Sequence, residues 1–303
     1  MKLHGNPGSS SRLTATPDIV ASVTIFIFAI LAAGCAGDSG TASAEFVRNC
    51  GITGKKAAFP LTPAQAGQLT VQTYLPAPGW WNGDTPDTIK DGFEYCMAAN
   101  IAYRAGIDKL VIVSTAWDAL VAGQTSNFDL ALAAISITPE RKKVVDFSVP
   151  YFHSYIGVLA KKGAKINSAS MKSMRIGVQQ ASTAWDWAND TLKPTQKVLV
   201  FQDFPSLLAS LSAGQIDVGM SDTAYLLALA TQSGGRLEVI GQYASSATSY
   251  GAIYPKGSAN ASVFDNNIQS LIDDGTLKAL SAKYLGKAWG GDPDAIPFFQ
   301  VVD

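Results

Sequence analysis

Two residues in this sequence have the chemistry to hold a small charged molecule, and both stand where a strand gives way to a turn. Arg141 follows the hydroxyl-bearing turn Ser136-Ile137-Thr138 within the stretch FDLALAAISITPERKKVVDFSVPY, residues 128–151. Phe128, Leu130 and Leu132 alternate with Asp129, Ala131 and Ala133, which is the pattern of a strand. Thr138 suits a helix N-cap and Pro139 the first helical position, so a helical turn is expected to carry Arg141. Ser136 and Arg141 thus fall at the carboxyl end of a strand, where open α/β sheets bind their ligands. A planar guanidinium suits a carboxylate and holds its charge. On spacing alone, Arg141-Lys142-Lys143 is equally the basic first turn of a solvated helix. Asp222 ends a second strand, IDVGM at 216–220, and precedes the helical TAYLLALA. It can cap that helix or face a ligand, and a carboxylate has oxygens for both.

Composition narrows the chemistry further. The 303 residues are 47% hydrophobic, enough for two domains of ordinary size. Net charge is −1 on 23 basic and 24 acidic residues, so there is no basic field for nucleic acid. His4 and His153 are the two histidines. A Ser-His-Asp triad or a histidine-metal site would rest on His153 alone once the N-terminus is removed, and no cofactor or metal is expected. No phosphate-cradling G-x-x-x-x-G-K loop occurs, and GGDPD at 290–294 is too irregular for a calcium loop.

Strands and helices alternate along the rest of the chain. Leu69–Tyr74 reads as the first strand, followed by the turn-rich LPAPGWWNG at 75–83. A helix from Gly92 carries Phe93, Met97 and Ile101 at helical spacing and stops at Gly106. Further strands are expected at 110–113, 155–160, 175–179, 197–201, 216–220 and 236–240. Helices are expected after Ser114, after Thr183, at 205–213, at 263–272 and at 277–285. The last segment, GGDPDAIPFFQVVD, has no period.

The N-terminus reads as a targeting segment. Lys2 and Arg12 precede an apolar run from Ile19 to Ala33, which ends in Leu31-Ala32-Ala33-Gly34-Cys35. The run is shorter than the roughly 20 residues of a membrane span. Small residues before a cysteine resemble the lipobox of bacterial lipoproteins. The resemblance implies a signal peptide at 1–34 and a diacylated Cys35 that anchors the chain to the membrane. A small, polar tether then covers 35–68. With Cys35 lipidated, Cys50 and Cys96 remain; in an oxidising compartment they can pair, and otherwise they are two free thiols.

The stretch SITPERKKVVDFSVPY resembles the signature of the extracellular solute-binding proteins of polar amino-acid ABC transporters. DDGTLKALSAKYLG, at the end of the chain, is similar to their closing helix. The resemblance spans about residues 69–287 and implies a two-lobed α/β fold of the type II periplasmic-binding-protein kind. Two crossovers join the lobes, with lobe 1 at 69–157, lobe 2 at 158–247, and the second part of lobe 1 with a C-terminal tail at 248–303. It implies that Arg141 and Ser136 meet an amino acid's α-carboxylate, that Asp222 meets its α-ammonium, and that Ser182 and Thr183 contact it from lobe 2. Ala181 stands where the family has glycine. An aromatic ring from the loop after the first strand, Trp80 or Trp81, covers the ligand, and Trp117 packs on its other side or belongs to the core. Tyr74 lies where binders of basic amino acids carry aspartate, and Ala134 where a serine is expected. Both departures disfavour lysine and arginine as ligands.

These features together imply a lipid-anchored, extracytoplasmic receptor, monomeric and not an enzyme, that delivers an amino acid or related zwitterion to a permease. Three other readings follow from the same residues: an enzyme on this fold, as the cyclohexadienyl dehydratases are; a sensor presenting ligand to a membrane kinase; and a structural surface lipoprotein.

Overall fold

A computed structural model describes residues 45–246 and 249–302. The signal peptide expected at 1–34, the lipidated Cys35 and the first part of the tether lie outside the described residues. Among the described residues no helix is long and apolar enough to cross a membrane.

The elements run α1 (Glu45–Cys50), β1 (Leu69–Thr73), α2 (Phe93–Ala105), β2 (Leu110–Ser114), α3 (Trp117–Val121), β3 (Leu130–Ala131) and β4 (Asp146–Phe147). Then come β5 (Phe152–His153), β6 (Ile156–Lys161), β7 (Ile176–Gln179), α4 (Thr183–Trp187), β8 (Leu199–Phe201), α5 (Phe204–Ala213), β9 (Val218–Asp222), α6 (Thr223–Gln232) and β10 (Leu237–Tyr243). The chain closes with β11 (Ser249–Tyr250), β12 (Ile253–Tyr254), α7 (Ala261–Asp273), α8 (Thr276–Leu280) and α9 (Gly286–Trp289).

Two five-stranded sheets result, ordered β2-β1-β3-β12-β4 and β10-β6-β9-β7-β8. Each is parallel where strand–helix units build it, β1 with β2 and β3, and β7 with β8 and β9. The strands that leave and return are antiparallel. The chain passes between the sheets twice, through β5 and β11, which pair as an antiparallel ribbon with Phe152 opposite Tyr250 and His153 opposite Ser249.

Local sequence explains the element ends. Asp203 caps α5 by accepting the Ser206 N–H at 2.8 Å, Pro205 fills its first turn, and Gly214 ends it in the left-handed region. Gly106 closes α2 in the same way. Helix α2 is sunk into the first lobe, with Phe93, Met97 and Ile101 fully buried. Cys50 and Cys96 form a disulfide that ties α1 to α2, with 5.0 Å between their Cα atoms.

The structure shortens one stretch that the sequence predicts and places the last segment, for which the sequence shows no period. The strand expected from Phe128 is paired only at Leu130–Ala131, and the helical turn expected to carry Arg141 is a short 3₁₀ turn, Arg141–Lys143. Thr138 Oγ1 still accepts the Arg141 N–H at 3.2 Å, but the chain must enter β4 by Asp146, which leaves no length for more helix. The final segment does not stay with the first sheet. Trp289 Nε1–H donates to Ala224 O at 2.8 Å, and Gln242 N–H to Pro297 O at 2.9 Å. Phe299 N–H donates to Gln242 O at 2.8 Å, so the tail lies along the outer edge of β10. The Phe299 ring covers Gly241 and leaves no room there for a Cβ.

Candidate functional site

The carboxyl ends of both sheets face one cavity of about 30 Å³. From the first lobe come Tyr74 after β1, Trp117 at the start of α3, and Ala134, Ser136 and Arg141 beyond β3. From the second come Gln179, Ser182 and Thr183 at the end of β7, Phe204 after β8, and Asp222 and Tyr225 at the β9–α6 junction. The cavity has room for a water or two.

Arg141 is buried at 8% exposure. Its Nη1–H donates to Ser136 O at 2.8 Å and its Nη2–H to Ala181 O, in the other lobe, at 2.9 Å. Its Cζ lies 5.3 Å from the Trp117 ring centre, a cation–π distance. Burial lowers its pKa to about 10, against the opposing pull of the Asp222 and Asp186 carboxylates. It remains a cation at neutral pH.

Asp222 occupies the N-cap position of α6, yet its side chain makes no cap hydrogen bond. The residue as a whole is partly exposed, but its Oδ1 is sealed from solvent and has no well-formed hydrogen bond, with the Tyr250 hydroxyl beside the carboxylate. Desolvation raises this carboxyl to about 7, and Arg141 pulls it back only in part. The helix therefore leaves this carboxylate unspent, and it faces a guanidinium across the cavity.

The other expected residues divide. Ser136 is buried on the cavity wall and fixes Arg141 through its carbonyl. Ser182 also lines the cavity, but its hydroxyl serves its own loop, donating to Gln179 O at 2.6 Å and accepting the Trp185 N–H at 3.3 Å. Thr183 lines the wall beside it. Ala181, in the glycine position, adopts φ +52 and aims its carbonyl at Arg141. Tyr74 and Trp117 pack edge to face at 6.1 Å. The Tyr74 hydroxyl lies near the Phe204 backbone and the Gln179 side chain without a well-formed hydrogen bond, and burial raises its pKa.

Trp80 and Trp81 do not line the cavity. Both are fully buried in the first lobe. Trp80 packs against Phe93, Phe152 and Tyr250 at 5.0–5.6 Å, and Trp81 Nε1–H donates to Glu94 Oε2 at 2.8 Å. The loop carrying them folds inward because two adjacent indoles bury more apolar surface in the core than over a small cleft. The rings that line the cavity in their place are Tyr74, Phe204 and Tyr225. Phe204 and Tyr225 contact each other at 4.7 Å, and the Tyr225 hydroxyl donates to Pro76 O across the lobes at 2.5 Å. Sequence reasoning missed Phe204, Tyr225 and Gln179, although each stands at a strand end or in the helical turn after one.

Among the described residues no group of three or more His, Cys, Asp or Glu is placed to hold a metal ion. His153 sits exposed on β5, away from the cavity. The arrangement is suited to binding: a permanent cation and an unspent carboxylate, each from its own lobe, with aromatic walls between them.

Known proteins resemble this chain in sequence and in fold. The L-cystine-binding protein TcyJ of Escherichia coli K12 is 31% identical over 200 residues, covering 64% of this chain and 74% of that protein. The structure of a solute receptor for L-cysteine from Neisseria gonorrhoeae superposes with a TM-score of 0.67 at 27% identity, covering 77% of this chain and 96% of that one. An ancestral amino acid-binding protein described as a precursor of cyclohexadienyl dehydratase superposes with a TM-score of 0.61 at 26% identity, covering 72% and 95%. Residues 82–287, which hold most of both sheets and nearly all of the cavity wall, match a single family, and this chain belongs to it: family 3 of the bacterial extracellular solute-binding proteins.

Proposed function

We propose that this protein is the solute receptor of an ABC importer and that it binds an amino acid, or a similar small zwitterion, between its lobes. The observation that carries this reading is the pairing of Arg141 with Asp222. The two come from opposite lobes and line one cavity, and the Asp222 Oδ1 there has no well-formed hydrogen bond. Arg141 would take the ligand carboxylate through its remaining N–H groups, and Asp222 the ammonium. A cavity of about 30 Å³ does not admit an amino acid, so the lobes must separate for entry and close on the ligand. The ligand favours closure because only the closed state lets both lobes touch it.

The cavity wall carries no second carboxylate for a cationic side chain, and Tyr74, Phe204 and Tyr225 present rings there. A neutral side chain fits this wall better than lysine or arginine. Delivery to a permease, anchoring through Cys35 and a monomeric, non-enzymatic role complete the proposal. The family supports delivery to a permease, and the residues before Cys35 support the anchor.

Calorimetric titration with the standard L-amino acids and L-cystine tests the reading. Tight binding of at least one neutral member is expected, lost in Arg141→Ala. Absence of binding across the panel would count against it. Turnover of prephenate or arogenate would instead favour the enzymatic reading, for which Asp222, with its pKa near neutrality, is the candidate acid.

A further inference from the structure

Beneath the cavity lies a carboxylate that the binding scheme does not use. Glu94, the second residue of α2, has no solvent exposure. Its Oε1 accepts the Ala134 N–H at 2.7 Å and also the Tyr151 O–H. Its Oε2 accepts the Trp81 Nε1–H at 2.8 Å. These donors come from three separate places: the turn beyond β3 that lines the cavity, the segment entering the first crossover, and the loop after β1. Ala134 holds φ +49, a left-handed conformation that a Cβ disfavours. Such a backbone persists only when its surroundings over-determine it, and the Glu94 bond does so.

We propose that Glu94 is a positioning residue for the ligand site, holding the Ala134 turn, the Trp81 loop and the Tyr151 crossover in one arrangement from inside the core. This deepens the binding reading above and rests on its assignment of the cavity. The role calls for a carboxylate. Three donors converge on two oxygens, and a glutamine there would turn its own N–H₂ toward at least one of them. A buried donor left without its acceptor is costly.

The charge state matters for the same reason. Burial raises the Glu94 carboxyl to about 7, the three donors pull it back, and no cation is among the influences on it. The titratable groups facing it are Tyr151, Tyr225 and Tyr250. A proton on Glu94 needs an acceptor, so the Tyr151 hydroxyl must turn from donor to acceptor, and the hold on Ala134 weakens.

Amide NMR of the ligand-free protein tests this independently of any ligand. The Ala134 resonance is expected to titrate between about pH 5.5 and 8.5, a window set by the raised carboxyl. The titration should vanish in Glu94→Gln and survive in Asp222→Asn, which separates the two buried carboxyls. Glu94→Gln should also move the Ser136 and Arg141 amides and leave those of Ser182 and Thr183 in place. Tyr151→Phe removes one donor and should raise the midpoint, which keeps the test decisive if Glu94→Gln does not fold. An Ala134 resonance that stays flat in the parent protein, or titrates unchanged in Glu94→Gln, overturns the proposal. So does an unmoved midpoint in Tyr151→Phe, or Ser136 and Arg141 amides unmoved in Glu94→Gln. Failure of the parent to bind any amino acid would sink the binding reading and leave these outcomes legible.

Discussion

The Nη2–H of Arg141 donates to the carbonyl of Ala181 at 2.9 Å, and these residues belong to different lobes. The guanidinium assigned to the ligand thus already spans the cleft. Ala181 reaches it from a left-handed backbone conformation, the one expected of the glycine it replaces. The bond leaves Arg141 with further N–H groups for a carboxylate, since a guanidinium carries five donors.

Arg141→Ala should therefore weaken ligand binding by roughly 2–5 kcal/mol, because it leaves a buried carboxylate without its partner. Arg141→Lys keeps the charge but loses the planar fork, and should weaken binding less than alanine does. Calorimetry on both variants, with circular dichroism to check folding, decides. Parent-like affinity in a folded Arg141→Ala would refute the site.

Asp222 makes affinity depend on pH. Its carboxyl is raised to about 7 by burial in the ligand-free protein, and a bound ammonium favours the ionised form. Binding should release a proton near neutrality, and affinity should fall by up to about tenfold per unit as the pH drops below that value. Stability without ligand has the opposite sign. The group ionises near its ordinary value when unfolded and near 7 when folded, so its contribution is present at acid pH and is lost as the pH rises through 7. Titrations in buffers of different ionisation enthalpy read the proton release directly. Asp222→Asn should abolish the release.

The Cys50–Cys96 disulfide closes a sequence separation of 46 residues. Chain-entropy arguments give about 4 kcal/mol for a loop of that size. The Cys50→Ser/Cys96→Ser protein should melt lower by roughly 2–4 °C per kcal/mol lost, read by calorimetry. An unchanged melting temperature would show that the bond adds nothing.

The C-terminal tail forms a third connection between the lobes, beside the two crossovers. Trp289 is bonded to α6 at both its indole and its carbonyl, and Phe299 seats on Gly241. Gly241→Val would drive a side chain into the Phe299 ring and should release the tail. Chymotrypsin should then cut at Phe298 and Phe299 much faster than in the parent, with little change in far-UV circular dichroism. Equal cleavage rates would show that the tail is not held there.

The sequence by itself determined most of the strand–helix alternation, the ends of α2 and α5, and the places of Thr183 and Asp222 where strands give way to helices. These follow from near neighbours: hydrophobic period, capping residues and turn glycines act within a few positions. Only the tertiary structure decided which aromatic rings reach the cavity. Trp80 and Trp81 looked like the ligand's cover from their loop, yet the core took them, because an indole's burial depends on what packs opposite it. Phe204 and Tyr225 reach the cavity through the pairing of β8 and β9 with β7, contacts between segments far apart in the chain. Whether Asp222 capped its helix or stayed unspent was equally beyond local reading, since the same position permits both. In the sequence Glu94 is simply the second residue after Gly92 in a helix that Gly92 opens. Its meaning arises from Trp81, Ala134 and Tyr151, residues up to 57 positions away, which only folding brings to one carboxylate.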